Sequence, residues 1–328
     1  MLGRANNRDE DFMATNTHAS FDLVTLGEPL VGIYPTDEGP DICRAALGGD
    51  TSNVALAAAR LGLSVAYASA VGDDPYGARF LRAWKDRGVD TSLVARDPDR
   101  FTGLYVISFD EDGHRFAYYR TGSAASAYEP TDEMREAIAS ARVLHVSGIS
   151  QAISRHMVEL SFSLMEEANA AGTLVSYDVN YRRALWSPAL AGAVAQRTIR
   201  DHADLVSANR TELDRLGLAA SPDEFLTSTT ARCRAVALRA GAAGSTVRVG
   251  DETSSAPACE VDVADTVGAG DAFDAAFITA LLLDFDADRT VRFANAVAAL
   301  TCTATGSTDG HPTREQAEDT MRACFDTT

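Results

Sequence analysis

Lysine is almost absent from this sequence of 328 residues: Lys85 is the only one, and arginine carries the rest of the positive charge. Lys85 stands in L-R-A-W-K rather than in G-x-x-x-x-G-K-[ST], which excludes a Walker A nucleotide loop. Asp and Glu number 47 against 29 Lys and Arg, so the formal net charge is −18. Such a chain repels a phosphate backbone, and nucleic acid is not an expected partner.

The same charge balance indicates a cellular setting. A surface rich in carboxylates and poor in lysine stays soluble where salt screens ordinary charges. We therefore expect a protein of a salt-accumulating halophile. An acidic protein encoded by a GC-rich genome is the alternative.

Cysteines and long apolar runs are also scarce. The five cysteines lie far apart without a C-x-x-C pair, which argues against a zinc knuckle and a disulfide framework. The six histidines show no spacing typical of a metal site. No apolar run reaches the roughly 18 residues that cross a bilayer, and residues 1–20 lack the apolar core of a signal peptide. The sequence predicts a cytoplasmic protein with no membrane contact and no direct metal ligands.

Short apolar runs alternate with helical patterns along most of the chain. After a polar stretch over 1–20, predicted to be a disordered tail, the first apolar run starts at residue 21 and ends in a glycine turn. The alternation predicts an α/β fold with a mainly parallel sheet and helices on both faces. The later runs cover 64–70, 141–147, 173–178, 203–207 and 234–238.

Two segments break this alternation. Residues 30–46 contain strand-like pieces with Pro and Gly, and residues 102–119 have the pattern of a hairpin that turns at D-E-D-G. They predict a small β lid beside the main sheet. Because the chain shows no internal repeat and no low-complexity linker, residues 21–328 are predicted to form one domain.

The most informative stretch is D-T-V-G-A-G-D-A-F at residues 265–273, followed by an apolar helical pattern. Gly268, Ala269 and Gly270 permit a tight turn whose amides open into a helix N-terminus, which is an anion site. Asp271 would lie in the first turn of that helix. There its carboxylate can accept a proton from a hydroxyl while the amides hold the transferred group. A helix cap is the simpler role for this residue.

This string resembles the second signature of the ribokinase-like (PfkB) carbohydrate kinases, and the resemblance extends over residues 21–325. L-G-G-D-T-S-N-V-A at residues 47–55 is similar to the family's amino-terminal G-G-x-x-x-N-x-A element. The resemblance implies a three-layer ribokinase-like sandwich with a β lid. It also implies transfer of the γ-phosphoryl group of ATP to a sugar hydroxyl, with Mg²⁺ and with Asp271 as catalytic base.

The resemblance assigns further roles on the nucleotide side. N-R-T-E at 209–212 resembles the N-x-x-E element that organises Mg²⁺ and its waters, although an Asn cap with an early acid is the alternative. R-A-G-A-A-G at 239–244 resembles the nucleotide loop, in which relatives often carry lysine at the first position. Mg²⁺ is expected to arrive with ATP, held through phosphates and water. The implied nucleotide-side residues are Asn209, Glu212, Arg239, Gly241, Gly244 and Asn295.

Two segments bear on the substrate. Y-Y-R-T-G-S-A at 118–124 resembles a segment of the 2-keto-3-deoxygluconate kinases, whose first Tyr and Arg contact the sugar acid. D-V-N-Y-R-R-A-L-W at 178–186 resembles an element of those kinases and of some fructokinases. Arg182 within it can pair with a carboxylate for about 1.5–3 kcal/mol, although a solvated surface arginine is the alternative. The implied substrate-side residues are Gly48, Gly49, Asn53, Tyr105, Tyr118, Arg120 and Arg182.

The resulting hypothesis is ATP-dependent phosphorylation of 2-keto-3-deoxygluconate to its 6-phosphate. A fructokinase or another sugar or nucleoside kinase of the family is the first alternative. A non-catalytic sugar or nucleotide sensor on the same fold is the second. Ser307 stands where some relatives carry an acidic residue, which leaves the sugar stereochemistry open. We also expect a homo-oligomer that pairs through the lid.

Overall fold

The computed structural model of this chain describes residues 20–36, 39–110, 113–228 and 232–326. The predicted tail over 1–20 therefore lies outside the described residues except for Ser20, and so do Glu111 and Asp112 at the predicted hairpin turn.

Within the described residues, fourteen strands and eleven α-helices follow one another. The strands are β1 (Leu23–Leu26), β2 (Leu30–Thr36), β3 (Gly39–Gly48), β4 (Val65–Gly72), β5 (Val89–Asp90), β6 (Val94–Asp97), β7 (Leu104–Asp110), β8 (Gly113–Tyr119), β9 (Val143–Ser147), β10 (Leu174–Asp178), β11 (Leu205–Asn209), β12 (Ala235–Arg239), β13 (Ser245–Val249) and β14 (Glu252–Ala256). The helices are α1 (Asp50–Arg60), α2 (Pro75–Asp86), α3 (Asp132–Ala139), α4 (Gly148–Ala152), α5 (Arg155–Ala171), α6 (Pro188–Asp201), α7 (Arg210–Leu216), α8 (Pro222–Ser228), α9 (Ala269–Leu282), α10 (Ala287–Thr301) and α11 (Arg314–Phe325).

The main sheet has the strand order β14-β13-β12-β11-β10-β9-β1-β4-β5, and β6 also pairs with β4. Pairing is parallel from β12 through to β5, and each predicted apolar run overlaps one of these strands, although β4, β11 and β12 extend one or two residues beyond the predicted runs. Only β13 and β14 run antiparallel to their neighbours, at one edge. The mainly parallel sheet predicted from the alternation is confirmed, whereas the antiparallel edge was not predicted.

Alternate residues of the central strands enter two separate cores, one on each face of the sheet. Leu23 of β1 packs into a core with Phe277 of α9 and Phe293 of α10. Its neighbour Val24 packs on the other face with Leu164 of α5. Since successive strand side chains point to opposite faces, both faces are covered by helices and the molecule has three layers.

A second sheet of four strands has the order β3-β2-β7-β8. β2 pairs antiparallel with β3 and parallel with β7, and β7 and β8 form the antiparallel hairpin predicted from residues 102–119. The predicted three-layer architecture with a small β lid is thus confirmed, with β3 reaching two residues beyond the predicted segment 30–46. No helix within the described ranges is long and apolar enough to span a bilayer.

Candidate active site

A cavity of about 1310 Å³ lies between the lid sheet and the carboxyl ends of β10, β11 and β12. Parallel α/β sheets place their ligand sites at this edge, where the strands end and the loops to the helices begin. The cavity brings together most of the residues singled out in the sequence. These are Gly49, Tyr105, Tyr118, Arg120, Arg182, Asn209, Glu212, Arg239, Gly241, Gly244, Gly268, Ala269, Gly270, Asp271 and Asn295.

The start of α9, predicted to form an anion site, lines this cavity. Gly268 caps the helix at φ 83°, and a Cβ there would lie 2.5 Å from the carbonyl oxygen of Ser307, so only glycine fits without strain. The backbone N–H groups of Gly270 and Asp271 have no acceptor among the described residues, as expected for the first turn of a helix. These free donors and the positive end of the helix dipole fit a transferred phosphoryl group.

Asp271 lies beside these amides and lines the cavity. Burial, and after it the negative charge of Asp50, raise the pKa of Asp271 to about 7. A hydrogen bond from Asn53 and the charge of Arg182 act in the opposite direction. A carboxyl group with a pKa near the working pH can accept a proton and release it again, as a general base requires.

Asn53 does not line the cavity itself but holds Asp271 in place from α1. Its Nδ2 donates to Asp271 Oδ2 at 2.7 Å, and its Oδ1 accepts from Ser307 Oγ at 3.1 Å. Gly49, just before α1, has φ 110°, and a Cβ there would lie 2.5 Å from the carbonyl oxygen of Glu28. Gly48 ends β3 beside the Tyr105 hydroxyl, where a Cβ would lie 3.6 Å from it.

Asp50 is a second carboxylate of the cavity, and the sequence reasoning assigned it no role. Its Oδ2 accepts hydrogen bonds from Ser147 Oγ and, at 3.3 Å, from Asn180 Nδ2. Asn180 has φ 36°, a left-handed conformation that asparagine tolerates better than most residues. Burial raises the pKa of Asp50, and the Ser147 hydrogen bond opposes this effect.

Arg239, predicted on the nucleotide side, makes internal contacts with its guanidinium group. Its Nη2 lies 2.6 Å from Asp178 Oδ1, and its Nη1 lies 3.1 Å from both Asp274 Oδ2 and the carbonyl oxygen of Gly270. Burial alone would lower the pKa of this guanidinium, but the charges of Asp178 and Asp274 raise it. Arg239 thereby ties the end of β10 to the first turn of α9.

Arg120, predicted on the substrate side, is also paired with a carboxylate. It is only 6% exposed, and its Nε donates to Glu28 Oε2 at 2.6 Å. Ser123 Oγ donates to the other oxygen of Glu28 at 2.5 Å. Burial raises the pKa of Glu28, while Arg120 and Ser123 lower it. This buried network joins the chain after the lid strand β8 to the chain after β1.

Arg182 differs from these two arginines. It is exposed to the cavity, and its Nη1 donates to the backbone carbonyl of Tyr181 at 3.2 Å. Among the described residues it pairs with no carboxylate. Its positive charge is close enough to lower the pKa values of Asp50 and Asp271.

Asn209 and Glu212 form a capping box at the start of α7. Asn209 Oδ1 accepts from the Glu212 amide at 3.0 Å, and Glu212 Oε2 accepts from the Asn209 amide at 2.8 Å. Glu212 Oε1 accepts from the Tyr181 amide at 3.0 Å. Each carboxylate oxygen keeps a lone pair for water, so the pair fits a hydrated Mg²⁺ held by phosphates. The described residues contain no cluster of three or more His, Cys, Asp or Glu that would bind a metal ion directly.

The remaining nucleotide-side residues shape the far end of the cavity. Gly241 starts a short 3₁₀ turn after β12, and Gly244 follows it at φ 89°. Asn295 of α10 is buried; its Nδ2 donates to the carbonyl oxygens of Ala256 and Pro257 at 3.0 Å each, and its Oδ1 accepts from Ser245 Oγ. Asn295 therefore shapes this wall by holding the chain after β14.

Three tyrosines of the lid sheet line the end of the cavity that the sequence assigned to the substrate. Tyr34 and Tyr105 share a hydrogen bond of 2.7 Å between their hydroxyl groups, and the Tyr105 and Tyr118 ring centroids lie 6.1 Å apart. Tyr34 was not predicted. Aromatic rings of this kind supply both apolar contact and hydroxyl groups to a polar ligand.

Four acidic residues of the site were not assigned a role from the sequence: Glu28, Asp50, Asp178 and Asp274. Glu28 and Asp178 follow or end parallel strands, and Asp50 follows the paired glycines. The sequence signal that could have identified Glu28 and Asp178 was therefore an acidic residue at the carboxyl end of a predicted parallel strand. Asp274, inside the apolar pattern of α9, carried the weaker signal of a charge among buried residues.

Comparison with known proteins agrees with this geometry. The family described as pfkB family carbohydrate kinase matches residues 33–314. The chain belongs to the pfkB family of carbohydrate kinases.

Individual relatives are a 2-dehydro-3-deoxygluconokinase and fructokinases. The chain is 33% identical over 313 residues to a 2-dehydro-3-deoxygluconokinase of Bacillus subtilis, which covers 92% of this chain and 96% of the relative. It is 32% identical over 318 residues to fructokinase-1 of Oryza sativa, covering 92% and 98%. A fructokinase of Xylella fastidiosa solved with bound ATP has a TM-score of 0.82 at 25% identity, covering 92% and 98%. The protein is thus an ATP-dependent carbohydrate kinase, and the two kinds of relative are similarly close.

Proposed function

We propose that this kinase transfers the γ-phosphoryl group of ATP to the 6-hydroxyl of 2-keto-3-deoxygluconate. This choice of substrate rests on one observation, which is that Arg182 pairs with no carboxylate among the described residues. Among the described residues, three arginines line the cavity: Arg120, Arg182 and Arg239. Glu28 neutralises Arg120, and Asp178 and Asp274 neutralise Arg239. Arg182 alone keeps a guanidinium group for a charged ligand.

A carboxylate-bearing sugar needs such a group in this cavity. Asp50 and Asp271 also face the ligand, so an anionic substrate entering without a positive partner would be repelled. A charge-assisted hydrogen bond to Arg182 offsets this repulsion by about 1.5–3 kcal/mol. A neutral hexose such as fructose gains much less from the same contact. The resemblance of residues 118–124 to the sugar-acid kinases supports the same choice, whereas residues 178–186 also resemble some fructokinases.

Different residues of the site have different roles in the proposed reaction. The tyrosines of the lid and Arg182 orient the sugar acid, and Asp271 accepts the proton of the attacking hydroxyl group. The free amides of Gly270 and Asp271 stabilise the charge on the transferred group. Mg²⁺, when bound with ATP, would neutralise phosphate charge, and Asn209 with Glu212 would hold its water ligands. Closure of the lid excludes water from this assembly.

Steady-state kinetics of Arg182→Met test the assignment. We expect the KM for 2-keto-3-deoxygluconate to rise at least about tenfold, because the carboxylate loses a charge-assisted partner. The KM for ATP should stay close to the wild-type value.

Arg183→Met is the matched control, because Arg183 is exposed and does not line the cavity. It should leave both constants near wild type. Equal KM values for the sugar acid in the two variants would refute the role of Arg182.

We further propose that the enzyme works in a salt-rich cytoplasm and as a homo-oligomer that pairs through its lid. The net charge of −18 supports the proposal of a salt-rich cytoplasm. The exposed side chains of Ile42 and Tyr119 on the lid sheet support the proposal of pairing through the lid. Thermal unfolding in dilute and in molar KCl tests the first, with a higher midpoint expected in molar salt. Sedimentation velocity tests the second, and a monomer at all concentrations would refute it.

A further inference from the structure

A second cavity, of about 400 Å³, lies on the other side of the loop that follows α10. It is enclosed by β3 of the lid sheet, by α2 and by residues 306–309, and no residue lines both this cavity and the catalytic one. Its charged side chains are Arg44, Arg79, Arg82, Arg87, Asp86 and Asp309.

The arginines of this cavity are poorly neutralised. Arg87 lies 3.4 Å from Asp309, in an ion pair that is half exposed. Arg44, Arg79 and Arg82 form no ion pair or hydrogen bond with any described residue. Asp86 stands one helical turn after Arg82, but the two do not pair, and this order of charges is the less favourable one along a helix.

Arg79 and Arg82 lack the ion pairs that some other helical arginines form. Arg155 pairs with Glu159, and Arg292 pairs with Asp288. Acidic residues greatly outnumber basic ones overall, so partners for Arg79 and Arg82 were readily available. The side chains of Arg44, Arg79 and Arg82 are exposed, so their positive charges remain available to a ligand of opposite charge.

We propose that this second cavity binds a small phosphate-bearing anion, either free phosphate or a phosphate monoester. Arginine suits this chemistry because its planar fork of N–H groups matches phosphate oxygens and is weakly hydrated. Arg79 and Arg82 lie three residues apart on one face of α2, and Arg44 reaches the cavity from the lid. The bound anion bridges the lid sheet and the helical layer.

The position of the cavity links it to the catalytic residues. Ser307 lines it, and the Ser307 hydroxyl group donates to Asn53, which in turn donates to Asp271. The carbonyl oxygen of Ser307 lies against Gly268 of the anion site. An anion in the second cavity therefore contacts the loop that supports the catalytic carboxylate.

Isothermal titration calorimetry of the intact protein tests the proposal without sugar or ATP, at constant ionic strength. The probes are inorganic phosphate and glycerol 2-phosphate. We expect saturable binding of at least one probe that weakens about tenfold or more in Arg79→Gln/Arg82→Gln. The control is Arg155→Gln/Arg215→Gln, which makes the same charge change on exposed surface elsewhere and should bind like wild type.

The two probes also identify the source of the anion. Tighter binding of inorganic phosphate points to the free ion, and tighter binding of glycerol 2-phosphate points to an organic ester. Affinity unchanged in Arg79→Gln/Arg82→Gln would show that the anion binds outside the second cavity and would overturn the proposal. The proposal would also be overturned if both double variants bound the probe more weakly than wild type to the same extent. Absence of saturable binding of either probe to the wild-type protein would overturn it as well. A circular dichroism melt of each variant confirms that it is folded.

Discussion

Asp271 combines two properties that rarely occur in one carboxyl group. It lies against free backbone amides that favour negative charge, and yet its pKa is raised to about 7 by burial and by Asp50. Its ionised form therefore becomes dominant only near neutral pH. The activity of the enzyme should accordingly rise with pH and level off above about pH 7, as the base form accumulates.

Replacement of this carboxyl group gives the first prediction. Asp271→Asn should lower kcat at least about 100-fold, because the attacking hydroxyl group loses its proton acceptor. ATP binding, measured by calorimetry, should stay within a few-fold of wild type. A kcat close to the wild-type value would show that another group accepts the proton.

The stability of the same variant provides its control. Since the folded pKa of Asp271 lies above the ordinary value of 3.8, the folded state binds the proton more tightly than the unfolded state. Wild-type stability therefore falls as pH rises from about 4 to about 7, by a few kcal/mol at most. Asp271→Asn has no carboxyl group to titrate at this position, so its stability should not fall in this way. It should therefore be more stable than the wild-type protein above pH 7. Lower stability there would contradict the raised pKa of Asp271 as the source of this loss.

Asn53 gives a prediction about positioning. Its amide donates to Asp271 and thereby lowers the pKa of that carboxyl group. Asn53→Leu should shift the acidic limb of the kcat/KM profile to higher pH, because the ionised carboxylate loses a donor. Ser307→Ala, which removes only the donor to Asn53 Oδ1, should shift it much less. A loss of activity with no change in the limb would contradict this role.

At the scale of elements, one guanidinium group joins three parts of the site. Arg239 ends β12, pairs with Asp178 at the end of β10 and contacts both Asp274 and the Gly270 carbonyl oxygen of α9. Both carboxylates are almost fully buried. The contacts fix the first turn of α9, and with it the anion site, relative to the strand ends.

Removing this group should cost stability as well as activity. Arg239→Met leaves two buried carboxyl groups without a cation, and we expect the free energy of unfolding to fall by about 3 kcal/mol in urea titrations. Arg96→Met, which breaks the exposed pair with Asp73, should have little effect. Comparable losses in the two variants would show that the buried network does not stabilise the anion site.

Particular residues show how far the sequence could predict this site. The glycines at 268 and 270 and the acid at 271 are local, so their string alone predicted the helix start where free amides and a carboxylate lie side by side. The hairpin at 102–119 was equally readable from its alternation and turn. The pairing of Arg120 with Glu28 was not, because the two are separated by 92 residues and meet only in the folded chain. Sequence could not distinguish a neutralised arginine from a free one.

On the scale of the whole molecule, charge is distributed unevenly. The chain carries a net −18, but the catalytic cavity keeps one unneutralised arginine and the second cavity keeps three, among the described residues. These guanidinium groups lie where the proposed anionic ligands would bind. The surrounding negative surface makes such local charge necessary for binding a sugar acid or a phosphate.

The most direct test of the account is ADP release by the purified protein with ATP and Mg²⁺. The assay compares 2-keto-3-deoxygluconate, fructose, ribose and adenosine side by side in molar KCl. We predict that kcat/KM for the sugar acid exceeds that for fructose by at least tenfold, the value expected from about 1.4 kcal/mol at Arg182. A preference for fructose or a nucleoside would contradict the proposed substrate, and no ADP release with any acceptor would contradict the proposed reaction.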